Sequence, residues 1–513
     1  MALAYRPPGV SISEVVSPSI SPLLAVPASV SIVGPAQGYV ERVDQITLEG
    51  TTATPLPNLP AGAALSSVQA VTDVLFPGSA PNDDGTYRAT NDYTVNTSAG
   101  TITRVEPDDG DGLIPDGARV AVAYRYVPAD YFDAILLEDL GSITERFGPA
   151  WKNGAIFSKL TYAAQIALEN GARFVVCQPL YSFDTPGDPD SGKVAPIGGS
   201  ASTAKAVSNP ATWADTLYGL RDIEDINVFV PVVGQSTDEG VGNSTWLAIA
   251  QVFQDHMKFL KDSDQYSVTI LGQDRTNDAT QYALKSGIRS DASTLAARYG
   301  GELARQTVLI NTASFLRARP DAVGGTIAVG GQYMAAAIAG MLASRPVQRA
   351  LTRQQISGFV SATDARSKKD KFDDASAGLL VVEQSGQGLF VRHGITLDTT
   401  AEQYQELSVV RSQHRMVETL RATVDNNIIG QIVADSQAPF TVKSTIISAL
   451  EALRGEGTIV NYQGVQVRQL AQQPTTIEVR FSYLPPFPIN YVNIAFSIDL
   501  SSLGAGVNDV TTS

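Results

Sequence analysis

The stretch Arg173-Phe174-Val175-Val176-Cys177-Gln178 follows the helical pattern Leu160 to Asn170, and the same order recurs three times downstream. Trp213 to Arg221 precedes Ile226 to Val233, Thr245 to Leu260 precedes Ser267 to Gly272, and Ala292 to Arg305 leads into Thr307-Val308-Leu309-Ile310-Asn311. Each short run is apolar on both faces, and each is separated from the next by a helical period. Such runs belong to a mainly parallel sheet covered by helices on both sides. A residue 129–396 core of α/β class is therefore expected.

Upstream, Ala28-Ser29-Val30-Ser31-Ile32-Val33-Gly34 reads as a strand entering that body. Between Val40 and Val127 the pattern changes. Pro77-Gly78, Asp84-Gly85, Asp109-Gly110 and Asp116-Gly117 separate short alternating runs such as Asp92 to Val95 and Arg119 to Tyr124, which predicts a β-rich insertion over 40–128. Downstream, Ile327 to Ala343 is the most apolar helical pattern, too short and too rich in glycine for a membrane span, and is read as buried. Leu379 to Val382 and Leu389 to Arg392 flank Ser385-Gly386-Gln387-Gly388 as a hairpin.

An α+β segment follows over 397–488. Helices are expected over Val409 to Ile428 and Thr441 to Leu453, the second stopping near Gly455. In Thr475 to Leu500, Ile477, Val479, Phe481 and Tyr483 point one way while Glu478, Arg480 and Ser482 point the other, a half-buried strand. Pro485-Pro486-Phe487-Pro488 breaks the ladder, and the alternation resumes at Val492, Ile494, Phe496, Ile498 and Leu500. At the other end, Val10 and Ile12 alternate with Ser11 and Ser13 ahead of Pro18, Pro22 and Pro27. At about 3.3 Å per extended residue, the first twenty residues reach roughly 60 Å. Residues 1–21 and 489–513 are read as extended arms, with 22–39 joining the first to the core. Either such strands pair within their own subunit or they add to a neighbour.

The 513-residue length fits two to four domains. Its 43% hydrophobic and 17% charged content supports a sizeable core. The net charge is −15, and Glu41 to Asp130 holds thirteen acidic and five basic residues, 5 − 13 = −8. No lysine precedes Lys152, so direct nucleic-acid binding is not expected. Met1 to Pro7 lacks the apolar core of a secretory signal, and export by that route is not expected. The single cysteine, Cys177, reads as a small core residue.

The chemistry-bearing motifs are weak. Gly187 to Val194 has phosphate-loop spacing, but Val194 replaces the magnesium-binding hydroxyl, Asp188 and Asp190 repel phosphate, and Pro189 removes an amide donor. Asp108, Asp109 and Asp111 lack calcium-loop spacing. His256, His393 and His414 form no metal motif, and Ser236 lacks the nucleophile-elbow pattern. No catalytic, cofactor or metal residue is assigned.

One ordered set of short stretches resembles a known family. Pro8-Gly9-Val10-Ser11-Ile12-Ser13-Glu14, Val30 to Gly38, Ser142-Ile143-Thr144-Glu145-Arg146-Phe147-Gly148, Glu169 to Arg173, Ala449 to Leu453 with Gly457, and Ile477 to Leu500 resemble the contractile tail sheath proteins of myophages and related contractile injection systems. The resemblance implies a non-enzymatic, cofactor-free virion subunit assembled in the host cytoplasm. It implies a helical homo-oligomer around an inner tail tube protein, meeting baseplate and tail terminator proteins, without membrane insertion. It further implies that Val10, Ile12, Glu14, Val492, Ile494, Phe496 and Ile498 make arm contacts with other subunits, and that Ile477, Val479 and Phe481 lie in the strand-accepting domain. Two other readings stay open on the sequence. One is an α/β enzyme with a crevice beyond Gly234, Gly272 and Asn311, and the other is a non-contracting tail or baseplate component.

Overall fold

The computed structural model describes residues 29–74, 85–106, 113–183, 193–194, 207–223, 226–235, 240–275, 278, 280–321, 325–364, 366–386 and 388–490. Its central sheet has six strands in the order Thr307–Leu309, Val268–Leu271, Ile226–Pro231, Ser29–Gly34, Val175–Pro179, Ile135–Leu137. The first five are parallel; Ile135–Leu137 pairs antiparallel at one edge. The chain winds outward from Ser29–Gly34 first to one side and then to the other, an order that sequence periodicity alone does not give.

The period-two rule divides the strand residues between two cores. Val30, Ile32, Val228, Val230, Ile270 and Val308 face helices Lys159–Glu169 and Gly331–Ala343. Val33, Phe229, Leu271 and Leu309 face helices Pro210–Tyr218, Asn243–Asp262 and Gln281–Ala297, where Trp213, Trp246 and Phe253 are buried. Local chemistry starts these helices where the sequence allows. Ser158 and Thr280 accept from backbone amides at their N-caps, and Asn209 does so ahead of Pro210.

Three helix expectations are corrected. Ile327 to Gly330 belongs to the strand Thr326–Gly330, and the helix runs Gly331–Ala343. Gly331 packs against the Gln273 backbone so closely that a Cβ would lie 2.5 Å from the Gln273 carbonyl oxygen. A Cβ at Gly340 would lie 2.2 Å from that of Ala167, so the two helices touch backbone to backbone. Trp213 to Arg221 is shifted to Pro210–Tyr218. The helix expected over Ala292 to Arg305 ends at Ala297, because Tyr299 and Gly300 both take positive φ and break the ladder.

Beside this body, Ser314–Ala318 forms an antiparallel sheet with Thr326–Gly330 and Phe359–Ala362. The expected hairpin forms as Val381–Ser385 and Gly388–His393. Residues 40–127 make two three-stranded sheets around their own core of Leu48, Val71, Ile102, Val120 and Tyr124. The buried Asp44 carboxylate there accepts from Asn58 and from the Tyr124 hydroxyl.

Candidate assembly site

The C-terminal unit is built on two helices and a hairpin. Leu407–Asn427 and Ala438–Glu456 pack through Met416, Val417, Leu420, Val442, Ile446, Leu450 and Leu453. The second helix runs past Gly455 and stops at Gly457, whose φ of 76° gives the left-handed C-cap. Asn461–Leu470 then pairs antiparallel with Gln473–Leu484, with a bulge between Gln463 and Gln466 where Gly464 takes φ +68°. This pair is a two-stranded sheet among the described residues. Ile477, Val479, Phe481 and Tyr483 lay their side chains on the helix core. On the opposite face Glu478 is bracketed by Arg468 and Arg480, whose hydrogen bonds hold its carboxyl below the usual range. A hairpin of this size is marginal by itself and is stabilised here by the helices beneath it.

The helix Leu407–Asn427 belongs to two cores. Leu407 and Val410 pack with the central sheet, whereas Met416 to Leu420 pack with the hairpin. Polar clamps reinforce the junction. Arg411 donates to the Leu342 carbonyl at 3.0 Å, Arg421 to the Asp264 carbonyl at 2.8 Å, and Gln348 to the Glu456 carbonyl at 3.1 Å. Cations at helix C-termini meet the negative end of the dipole. Beyond the prolines, Asn490 donates to Glu406 and accepts from Thr352, and His393 shares the same Glu406 oxygen at 2.6 Å. The alternation singled out Ile477, Val479 and Phe481, but gave no signal for Arg411, Arg421, Gln348 or Asn490, whose partners are remote in sequence. Val10, Ile12, Glu14, Val492, Ile494, Phe496 and Ile498 lie outside the described residues.

The strand carboxyl ends hold a buried polar network. Arg275 reaches Asp291 at 2.6 Å and Asp278 at 2.6 Å, Gln273 donates to Asp291 at 2.8 Å, and Asn243 accepts from Gln235 and Arg275. Burial pushes the Asp291 carboxyl up, while Gln273 and Arg275 pull it back. Next to it, Asn311, Arg289 and Arg366 converge on the fully buried Asp374. The polar groups in the crevice thus satisfy one another. An open cleft of about 370 Å³ lies between Gly300, Arg305, Leu397 and Tyr404. It sits at the amino end of Thr307–Leu309, opposite the usual ligand side of a parallel sheet.

The remaining candidates have structural surroundings. Cys177 is buried, which pushes its thiol up to about 12. His256 lies edge-on to Phe229. Of the phosphate-loop-like run, Lys193 and Val194 are described; they pair with Ser182 and Phe183, and Lys193 meets Asp133 at 2.8 Å. Asp108, Asp109, Asp111 and Ser236 lie outside the described residues. Among the described residues no group of three or more His, Cys, Asp or Glu could hold a metal, and no helix is long and apolar enough to cross a membrane.

No family model matches the chain. The tail sheath protein of Mycobacterium phage Bxz1 is 28% identical over 438 residues, which span 82% of this chain and 67% of that relative. Among solved structures, a chain of the anti-feeding prophage baseplate, 6-fold symmetrised, aligns with a TM-score of 0.53 at 11% identity. A chain of the anti-feeding prophage helical sheath in the contracted state aligns at 0.51 and 12%. Each alignment covers 97% of this chain and 100% of the other. The chain is thus a homologue of a phage tail sheath protein and shares its mixed α/β fold with chains of contractile assemblies.

Proposed function

We propose that this chain is the structural subunit of a contractile phage tail sheath. Copies assemble around an inner tail tube by exchange of β-strands, and the lattice contracts to drive the tube through the host envelope. The 28% identity to a tail sheath protein over 82% of the chain carries this reading. The hairpin Asn461–Leu470 and Gln473–Leu484 supplies its physical means. A strand from another copy, carrying Val10 and Ile12 or Val492, Ile494, Phe496 and Ile498, adds to this two-stranded sheet, with main-chain hydrogen bonds of about 1 kcal/mol net each. Several such bonds per arm, repeated over every subunit, keep a lattice connected while its bodies move.

The division into arms at 1–21 and 489–513, a surface insertion at 40–128, a core at 129–396 and an assembly domain at 397–488 follows from the same reading. So do a virion location and contacts with baseplate and terminator proteins. Catalysis has no part in it: the polar groups of the strand-end crevice are engaged with one another rather than converging on an open site. Negative-stain electron microscopy of the full chain beside a chain lacking residues 1–21 tests the reading. Tubes from the first and free subunits or rings from the second are expected. Tubes from both would remove the N-terminal arm from the mechanism, and tubes from neither, even with tube protein added, would overturn it.

A further inference from the structure

Four arginines gather where the central body meets the C-terminal unit. The buried helix Gly331–Ala343 ends there, and its Leu342 carbonyl accepts from the Arg411 guanidinium at 3.0 Å and from the Arg345 amide at 3.4 Å. Arg411 is 4% exposed, and burial pushes its guanidinium down to about 10. Burial and the neighbouring Arg349 also push Arg345 down. Arg415 stands one turn beyond Arg411 on the same side of its helix.

These cations are poorly satisfied. One terminal nitrogen of Arg411, one of Arg345, and Nε of Arg415 are buried without a hydrogen-bond partner. No ion pair to Arg345, Arg349, Arg411 or Arg415 forms among the described residues. By contrast, Arg289, Arg317 and Arg366 each meet a carboxylate within 3 Å. Glu456 is also at this junction, where its backbone carbonyl accepts from Gln348, but its Oε2 is itself buried without a partner. Unmet guanidinium donors in a low-dielectric cleft are costly, and a carboxylate relieves them with two acceptor oxygens in matching planar geometry.

We infer that this arginine cleft receives a carboxylate side chain from a second copy of the chain. Charge complementarity identifies the occupant: the chain carries a net −15 and displays acids such as Glu145 and Asp133 on its surface, with side chains 71% and 63% exposed. The inference rests on the proposal that copies assemble, and adds a contact that the arms do not make. It makes assembly dependent on ionic strength, since the outer arginines are partly open to solvent.

Sedimentation velocity from about 50 to about 500 mM salt tests it, on four full or nearly full chains: the native chain, Arg345→Gln/Arg349→Gln/Arg415→Gln, the chain lacking residues 1–21, and Lys368→Gln/Lys369→Gln/Arg119→Gln as a charge-matched control. Circular dichroism melting checks that each variant is folded. Self-association of the native chain is expected to weaken with salt. The arginine variant is expected to associate about tenfold more weakly at low salt with little further salt response, while the control follows the native chain. Equal association of native and arginine variants, an equal loss in the control, or a native chain monomeric at every salt overturns the contact. Tubes from native and arginine variants alike would reject the cleft and leave the sheath reading standing. Salt-sensitive, arginine-dependent oligomers without tubes would do the reverse.

Discussion

The strands Ile226–Pro231 and Gln473–Leu484 carry similar apolar residues, yet the first has a parallel strand on each side and helices over both faces. The second has one strand neighbour among the described residues and one covered face. Burial on two faces commits every residue of the first to the interior of one subunit. Burial on one face leaves the second with an edge geometry to which strand can be added. The difference separates what holds the monomer together from what can join it to others, and substitutions in the two regions should fail in different ways.

The largest effect is expected from Gly272→Val in the central body. A Cβ at Gly272 would lie 2.0 Å from the Gly331 carbonyl oxygen, a backbone atom that cannot move aside. Loss of soluble folded protein is expected, read by yield and circular dichroism; an unshifted melting curve would break the view of a closed core. Next comes Asp374→Ala, which strands Arg366, 3% exposed at the side chain, and Arg289. Removal of one partner from such a buried network costs about 3–5 kcal/mol, measurable by urea unfolding.

Acid should weaken both regions through histidines kept neutral by burial. His256 and His414 are each lowered to about 3, His256 by desolvation and Arg221, His414 by desolvation and Arg305, Arg411 and Lys261. The unfolded chain takes up these protons near pH 6.5 and the folded chain near 3, so stability falls as pH drops through 6.5. At pH 5 the loss is about 2 kcal/mol per histidine. A His256→Leu/His414→Leu chain should melt with a flatter pH profile between 7 and about 5; an unchanged slope would assign the acid response to carboxylates.

Phe481→Ala in the half-covered hairpin should cost about 1–2 kcal/mol, against about 3–5 kcal/mol for Phe253→Ala in the core, with equal costs contradicting the distinction. Smallest of all, Arg480→Ala on the solvent face should leave monomer melting unchanged, because its pairing with Glu478 is exposed to solvent screening.

The two regions also differed in how far they could be read from the chain. Val228, Val230 and Phe229 announce a two-faced strand by composition, and Ile477 to Tyr483 announce a one-faced strand by alternation; both formed. Ser314–Ala318 gave no such signal, because Arg317 interrupts it. That arginine is tolerated in a buried strand because Glu169, 148 residues earlier, lies 2.7 Å away. The Gly330-Gly331 pair reads as helix by its apolar neighbours but turns from strand to helix because the Gln273 backbone passes too close for a side chain.

What the sequence determined alone was local: the period of apolar residues, the caps at Ser158, Asn209 and Thr280, and the left-handed stop at Gly457. These depend on interactions within a few residues along the chain. The tertiary structure decided the strand order around Ser29–Gly34, the closure of the strand-end crevice by Arg275 and Asp291, and the gathering of Arg345, Arg349, Arg411 and Arg415 around one helix end. Each depends on groups far apart in sequence, whose pairing energies exist only after the chain has closed the intervening loops and excluded water between them.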